Sequence, residues 1–218
     1  MFIPLKDLNP RRSTPWVTIS LIAVNIGVFL YQSTLPYNAE NAFILSFAEV
    51  PSRVSGLLHG HGSVHLALLP LFTSMFLHGG LLHLAGNMLF LWIFGDNVED
   101  FLGRADFLLF YLGCGIGAGL LHIFSDFHSS LPALGASGAI SGVMGAYMVL
   151  YPRSRILTLI FIFLVPIPAV VILGWWFILQ FLGGLSSLGL RASGGVAWWA
   201  HIGGFLLGAI FMLGVRRR

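Results

Sequence analysis

The hydrophobic positions of this chain fall in long unbroken blocks, and the polar positions fall between them. The blocks run from Trp16 to Tyr31, Phe76 to Phe94, Phe107 to Phe124, Ser137 to Tyr151, Ala169 to Leu185 and Ala197 to Val215. A helix needs about 20 apolar residues to cross a bilayer, so the pattern predicts a bundle of six transmembrane helices, all-α in class. The blocks are continuous and do not alternate, which excludes a porin-type barrel.

The polar stretches set the connections. Residues 32–67 form a long first loop with Pro36, Pro51, Glu40, Glu49, Arg53 and three histidines. Within it, Ala42–Leu58 is moderately apolar and reads as one interfacial helix. A charged turn (Asp96, Glu99, Asp100, Arg104, Asp106) follows the second block, so no acid is expected inside a span. Arg155–Pro168 is apolar, but Pro166 and Pro168 each remove a helical hydrogen bond. We expect a membrane-hugging connection there, or else one long kinked span from Ile156. Residues 186–196 read as a Gly/Ser-rich loop. No repeat or second domain is visible, so residues 1–15 read as a cytoplasmic segment and residues 16–218 as one membrane domain.

Composition agrees with this layout. The 218 residues are 57% hydrophobic and only 9% charged, against about 25% charged in a soluble domain, so the chain is an integral, multi-pass membrane protein whose first partner is the lipid bilayer. The net charge of +3 is not a nucleic-acid signal. Lys6, Arg11 and Arg12, Arg153 and Arg155, and Arg216 to Arg218 sit at span ends, which puts both termini and the turns after blocks two and four on the cytoplasmic side. The expected location is a bacterial plasma (inner) membrane. No small-residue cleavage site follows the first block, which reads as a retained span. Cys114 is alone in an apolar run and is expected to be a small core residue.

The chemistry gathers around Leu134-Gly135-Ala136-Ser137-Gly138-Ala139. Here a serine opens an apolar helix whose first N–H groups lack intrahelical partners, so a nucleophile and oxyanion donors can share one place. Alone, such a Gly-Ala-Ser-Gly is more often helix packing. Depth changes the reading. Ser137 lies 16 residues before Arg153, His201 15 before Arg216 and His83 16 before Glu99. At about 1.5 Å per residue these are roughly 22–24 Å of helix, within a core of about 30 Å. All three side chains therefore sit at a similar depth, below the outer surface. Asn87 shares a helical face with His83. Gly138, Gly142 and Gly145 form one smooth stripe and Gly204 and Gly208 another, so the fourth and sixth spans can meet closely. Ser137 then has His201 as a base, in a Ser-His dyad with no acidic third member. The Ser137 N–H, Asn87 and His83 are candidate oxyanion donors. No strand precedes the serine, which argues against an α/β-hydrolase.

Three motifs carry a resemblance. His78-Gly-Gly-Leu-Leu-His83-Leu-Ala-Gly-Asn87, Gly135-Ala136-Ser137-Gly138 and Ala200-His201 with Gly204 and Gly208 closely resemble the rhomboid intramembrane serine proteases, from about Leu71 to the C-terminus. The resemblance implies Ser137 as nucleophile, His201 as general base, and His83, Asn87 and the Ser137 N–H as oxyanion stabilisers. It implies cleavage of single-span membrane proteins in or near their membrane segment, without a cofactor, with lateral access beside Ala169–Leu185 and residues 186–196. Two departures stand out. Some relatives carry an aromatic residue one turn after the nucleophile, stacked on the base, where this chain has Ser141. The Trp-Arg pair of some first loops is absent between residues 32 and 80.

The remaining groups read as structural. His78 is expected to hold the first loop near the second span, and His122 to be interfacial. His59, His61 and His65 lack a cysteine or carboxylate motif and fit a solvated loop better than a metal site. Trp175, Trp176, Phe177 and Phe181 are expected to make lipid or packing contacts. The rival classes are a non-proteolytic relative that binds transmembrane segments and a small transporter, although no inverted repeat is visible.

Overall fold

The apolar blocks fold as helices, and the segments between them are more ordered than their composition suggests. The computed structural model describes residues 2–189 and 196–216. A strand, β1 (Phe2–Asp7), precedes α1 (Trp16–Thr34). The first loop carries α2 (Tyr37–Phe47), α3 (Pro51–Leu58), α4 (Val64–Leu68), α5 (Pro70–Thr73) and a 3-10 turn over Ser74–Phe76. Then come α6 (Leu81–Leu102), α7 (Arg104–Ser125) and α8 (Ser137–Leu150). A hairpin of β2 (Arg155–Ile160) and β3 (Phe163–Pro168) leads to α9 (Ala169–Gly189) and α10 (Trp198–Arg216). Residues 190–195 of the expected Gly/Ser-rich loop lie outside the described residues.

Among the described residues, five helices (α1, α6, α7, α9 and α10) are long and apolar enough to cross a membrane. The sixth apolar block, α8, has 14 residues and is about 21 Å long at 1.5 Å per residue. Every residue of it from Gly138 to Tyr147 is buried, and it packs chiefly between α10 and α7. Glycine makes this possible. An added Cβ on Gly138 would lie 2.8 Å from the Ala118 Cβ of α7, and one on Gly142 would lie 2.5 Å from the Cys114 Cβ. Toward α10, the carbonyl of Gly138 rests on Gly204 and that of Gly142 rests on Gly208. Backbones this close are held by dispersion and Cα–H···O contacts, which need small residues at matched spacing. Both pairs are four residues apart, so one register satisfies both, and that register brings Ser137 opposite His201. Below the glycines, Tyr147 meets Phe94 of α6 edge to face at 5.1 Å.

The second apolar block extends past its expected limit. The helix α6 runs on to Leu102 and carries Asp96, Glu99 and Asp100, contrary to the expectation of a span ending at Phe94 with its acids in a turn. It turns directly into α7 at Gly103, where φ is +83°, a value glycine adopts without strain. Glu99 is buried, with 2% of its surface exposed, because it has a task. Its carboxylate accepts the Val17 N–H at 3.0 Å, the Thr18 N–H at 2.8 Å and the Thr18 hydroxyl at 2.8 Å. The first turn of α1 has no cap of its own behind Pro15, so Glu99 caps it from another helix.

The expected connection from Arg155 to Ile167 is formed as two strands, and the alternative of one long kinked span from Ile156 fails. The sheet order is β1-β2-β3, antiparallel throughout. Pro166 and Pro168 stop a helix but are tolerated on an edge strand such as β3, while Ile156 and Thr158 of the central strand are buried. The sheet is tied to the helices by Asp7, which accepts the Tyr147 hydroxyl at 2.7 Å and the Asn97 amide at 2.8 Å. Desolvation by burial raises the Asp7 pKa to about 6.

The single interfacial helix expected over Ala42–Leu58 is two helices, α2 and α3. The break between them pairs with the chain before Ser137, because Glu49 and Ala133 exchange both backbone hydrogen bonds, at 3.0 and 2.7 Å. A contact this distant in sequence overrides local helix propensity. His59, His61 and His65 are exposed, as the solvated-loop reading expects.

Candidate active site

Ser137 is the first residue of α8 and follows a turn that only glycine makes easily. Gly135 has φ +124°, and its N–H donates to the Ser74 carbonyl at 2.9 Å. A Cβ at Gly135 would lie 2.8 Å from both the Cε1 and Nε2 atoms of His83 and 3.5 Å from the Asn87 amide nitrogen. The backbone leading into Ser137 therefore lies directly against the two α6 side chains. The first N–H groups of α8 have no intrahelical partners.

Across the glycine contact, the Ser137 hydroxyl and His201 Nε2 are 2.7 Å apart, within hydrogen-bond reach for proton transfer. His83, Asn87, Ser137 and His201 all line one cavity of about 240 Å³, together with Ser141 and Trp176. The structure thus brings together every polar side chain that the sequence picked out for the site. Gly138, Gly142, Gly204 and Gly208 sit in the helix contact as expected, and Gly135 sits in the turn.

Asn87 is buried and its amide donates to His78 Nε2 at 3.0 Å. One N–H of that amide is thereby occupied and one is left for the cavity. His78 is fully buried, and its carbonyl accepts the Gln32 amide of α1 at 2.8 Å. Its ring packs edge to face on His83 with centroids 5.1 Å apart. Because the Asn87 amide nitrogen can only donate, His78 Nε2 is the acceptor of the bond between them. The expected role of His78, holding first loop and second span together, agrees with these contacts.

His122, expected at the interface, lines a second, smaller cavity of about 40 Å³ behind Ser137, which Glu49 and Ser74 also line. With Ser141 in place of an aromatic residue, the sequence leaves open what supports the His201 ring. The Ser141 hydroxyl donates to the Ser137 carbonyl at 2.6 Å, and the ring is supported from α9. Trp176 packs on it at 6.0 Å between centroids, and His201 Nδ1 lies 2.8 Å from the Gln180 side-chain oxygen. Trp176 and Phe177 point inward while Trp175 and Phe181 are exposed. Sequence reasoning missed Gln180. The signal was present, since it is the one amide among apolar residues and glycines from Ala169 to Leu185, and a polar group at membrane depth is a functional candidate.

The Rhomboid domain family profile matches residues 65–218, well over half of the sequence. The chain belongs to the rhomboid family. Its relatives include Rhomboid protein 1, mitochondrial, of Saccharomyces cerevisiae, which is 32% identical over 63% of this chain and 39% of that protein. RHOMBOID-like protein 12, mitochondrial, of Arabidopsis thaliana is 28% identical over 92% of this chain and 59% of its own length. Rhomboid protease GluP of Bacillus subtilis is 46% identical over 36% of this chain and 15% of its own. The match thus spans about two fifths to three fifths of the first two. Mitochondrial rhomboids among the relatives give no support to the expected bacterial plasma membrane, and integral membrane location is the part of that expectation that stands.

Proposed function

We propose that this rhomboid is an intramembrane serine endopeptidase that cleaves single-span membrane proteins within or near their membrane segment. The observation that carries the reading is the 2.7 Å contact between the Ser137 hydroxyl and His201 Nε2 in a cavity shared with His83 and Asn87. In this reading α8 is the sixth membrane helix, short because its neighbours surround it, and residues 16–218 form one six-helix domain behind a cytoplasmic segment of residues 1–15. Both termini lie on the same side of the membrane.

The reaction follows from the atoms present. Ser137 Oγ bonds to the scissile carbonyl carbon while its proton passes to His201 Nε2. The carbonyl oxygen gains a negative charge, and the Ser137 N–H, the free N–H of Asn87 and His83 stabilise it. His201 then returns the proton to the departing amine as the C–N bond breaks. Water, deprotonated by the same nitrogen, hydrolyses the acyl-serine.

Reconstituted into liposomes with a panel of single-span substrates, the protein is expected to cleave at least one. Ser137→Ala and His201→Ala abolish that cleavage, and His201→Ala abolishes labelling of Ser137 by a fluorophosphonate. Cleavage that survives Ser137→Ala overturns the reading.

A further inference from the structure

We infer that Gln180 is a positioning residue that sets the tautomer and ring plane of His201, doing from α9 what an acidic third member does in a Ser-His-Asp triad. The inference rests on the reading of Ser137 and His201 as a catalytic dyad.

The geometry is specific. An imidazole that accepts a proton at Nε2 must carry its hydrogen on Nδ1. The Gln180 oxygen is 2.8 Å from Nδ1, and the serine hydroxyl is 2.7 Å from Nε2. An amide oxygen accepts and does not donate, so this contact favours Nδ1–H and leaves Nε2 free to take the Ser137 proton. The opposite tautomer would point an Nε2–H at the serine and set two acceptors against each other at Nδ1. When His201 takes the proton, the same oxygen faces the positive ring.

The placement of Gln180 is also specific. It is buried, with 8% of its surface exposed, and it lies on the inward face of α9 with the buried Leu173 and with Trp176, which packs on His201. Burying an amide in an apolar helix costs free energy unless it is hydrogen-bonded, and the bond to His201 meets that cost. The titratable groups that face His201 are His83 from α6 and His122 from α7, and neither is a carboxylate. A neutral amide is therefore the group at Nδ1 that orients this base, while a buried carboxyl, Glu49, lies in the separate small cavity behind Ser137 with His122.

The test compares Gln180→Leu, Gln180→Asn and Gln180→Glu in full-length protein, reading cleavage kinetics of a single-span substrate against pH, with Ser137→Ala as control. Gln180→Leu is expected to lower kcat by about 10- to 100-fold, a smaller loss than an acidic triad member shows, with KM changed less than twofold. Gln180→Asn, one methylene short, falls between. Gln180→Glu restores most of the rate and moves the acid limb of kcat/KM upward by about one pH unit, because a carboxylate favours the protonated ring. A merely structural amide would not give a kcat loss in Gln180→Leu that spares KM and is recovered in Gln180→Glu together with that shift. Should Gln180→Leu unfold, the near-isosteric Glu variant still decides the matter through its pH profile. Unchanged kcat in Gln180→Leu, or an unmoved profile in Gln180→Glu, overturns the inference while an inactive Ser137→Ala leaves the protease reading intact. An active Ser137→Ala overturns both.

Discussion

The carbonyl of Gly142 rests on the Cα of Gly208 so closely that a Cβ on Gly208 would stand only 2.7 Å from the Gly142 Cα. This contact and its neighbour, Gly138 on Gly204, set the register of α8 against α10 and so the distance from serine to histidine. Gly208→Val must push the two helices apart, because the obstructing atoms are backbone and cannot rotate away. Overpacking of this kind costs about 1–3 kcal/mol or more. The expected result is a lower unfolding midpoint in detergent together with loss of fluorophosphonate labelling at Ser137. Labelling and midpoint both equal to those of the parent protein would refute this account of the register.

Glu99 offers a test of the scaffold away from the site. Glu99→Ala strands the Val17 and Thr18 N–H groups in a buried place, at about 1–3 kcal/mol for each unsatisfied group. Circular dichroism melts should show the loss. Glu99→Gln keeps an acceptor and should lie between, and equal midpoints for the three proteins would show that α1 needs no cap.

Gly135→Ala probes the turn before the nucleophile. Its φ of +124° is strained for any L side chain, at about 1–3 kcal/mol, and the new methyl would press on the His83 ring. We expect kcat/KM to fall at least tenfold, with a smaller change in thermal stability. Activity within twofold of the parent would mean that the turn and His83 need not keep this arrangement.

Glu49 predicts a pH dependence of stability. Burial raises its pKa from 4.5 to about 7, and its carboxylate oxygen Oε1 is buried without a partner. The folded chain therefore holds the proton more tightly than the unfolded chain. Stability from this group is full below pH 4.5 and is lost as pH rises through 7, by on the order of 2–3 kcal/mol. Melting midpoints between pH 5 and 8.5 should decline for the parent and decline less for Glu49→Gln, which should be the more stable protein above pH 7. Parallel curves for the two would remove Glu49 as the cause.

What sequence alone determined here was everything that repeats locally or sits on one helix. Unbroken apolar blocks marked the helices, and the four-residue glycine spacing announced a close contact. The residues flanking Ser137, His201 and the His83-Asn87 face named the site, because such patterns depend on helical period and side-chain size. Only the tertiary structure decided the rest. Local propensity cannot tell that Asp7 will meet Tyr147, that Glu99 will cap a helix beginning more than 80 residues earlier, or that two prolines will sit on a sheet edge opposite β2. Gln180 belongs with these. Its composition signal was visible, but its partner was not, since a hydrogen bond between two helices depends on their rotation and depth. Those are set by packing, and here Gly183 and Gly184 of α9 lie directly against Trp198, Trp199 and Ile202 of α10.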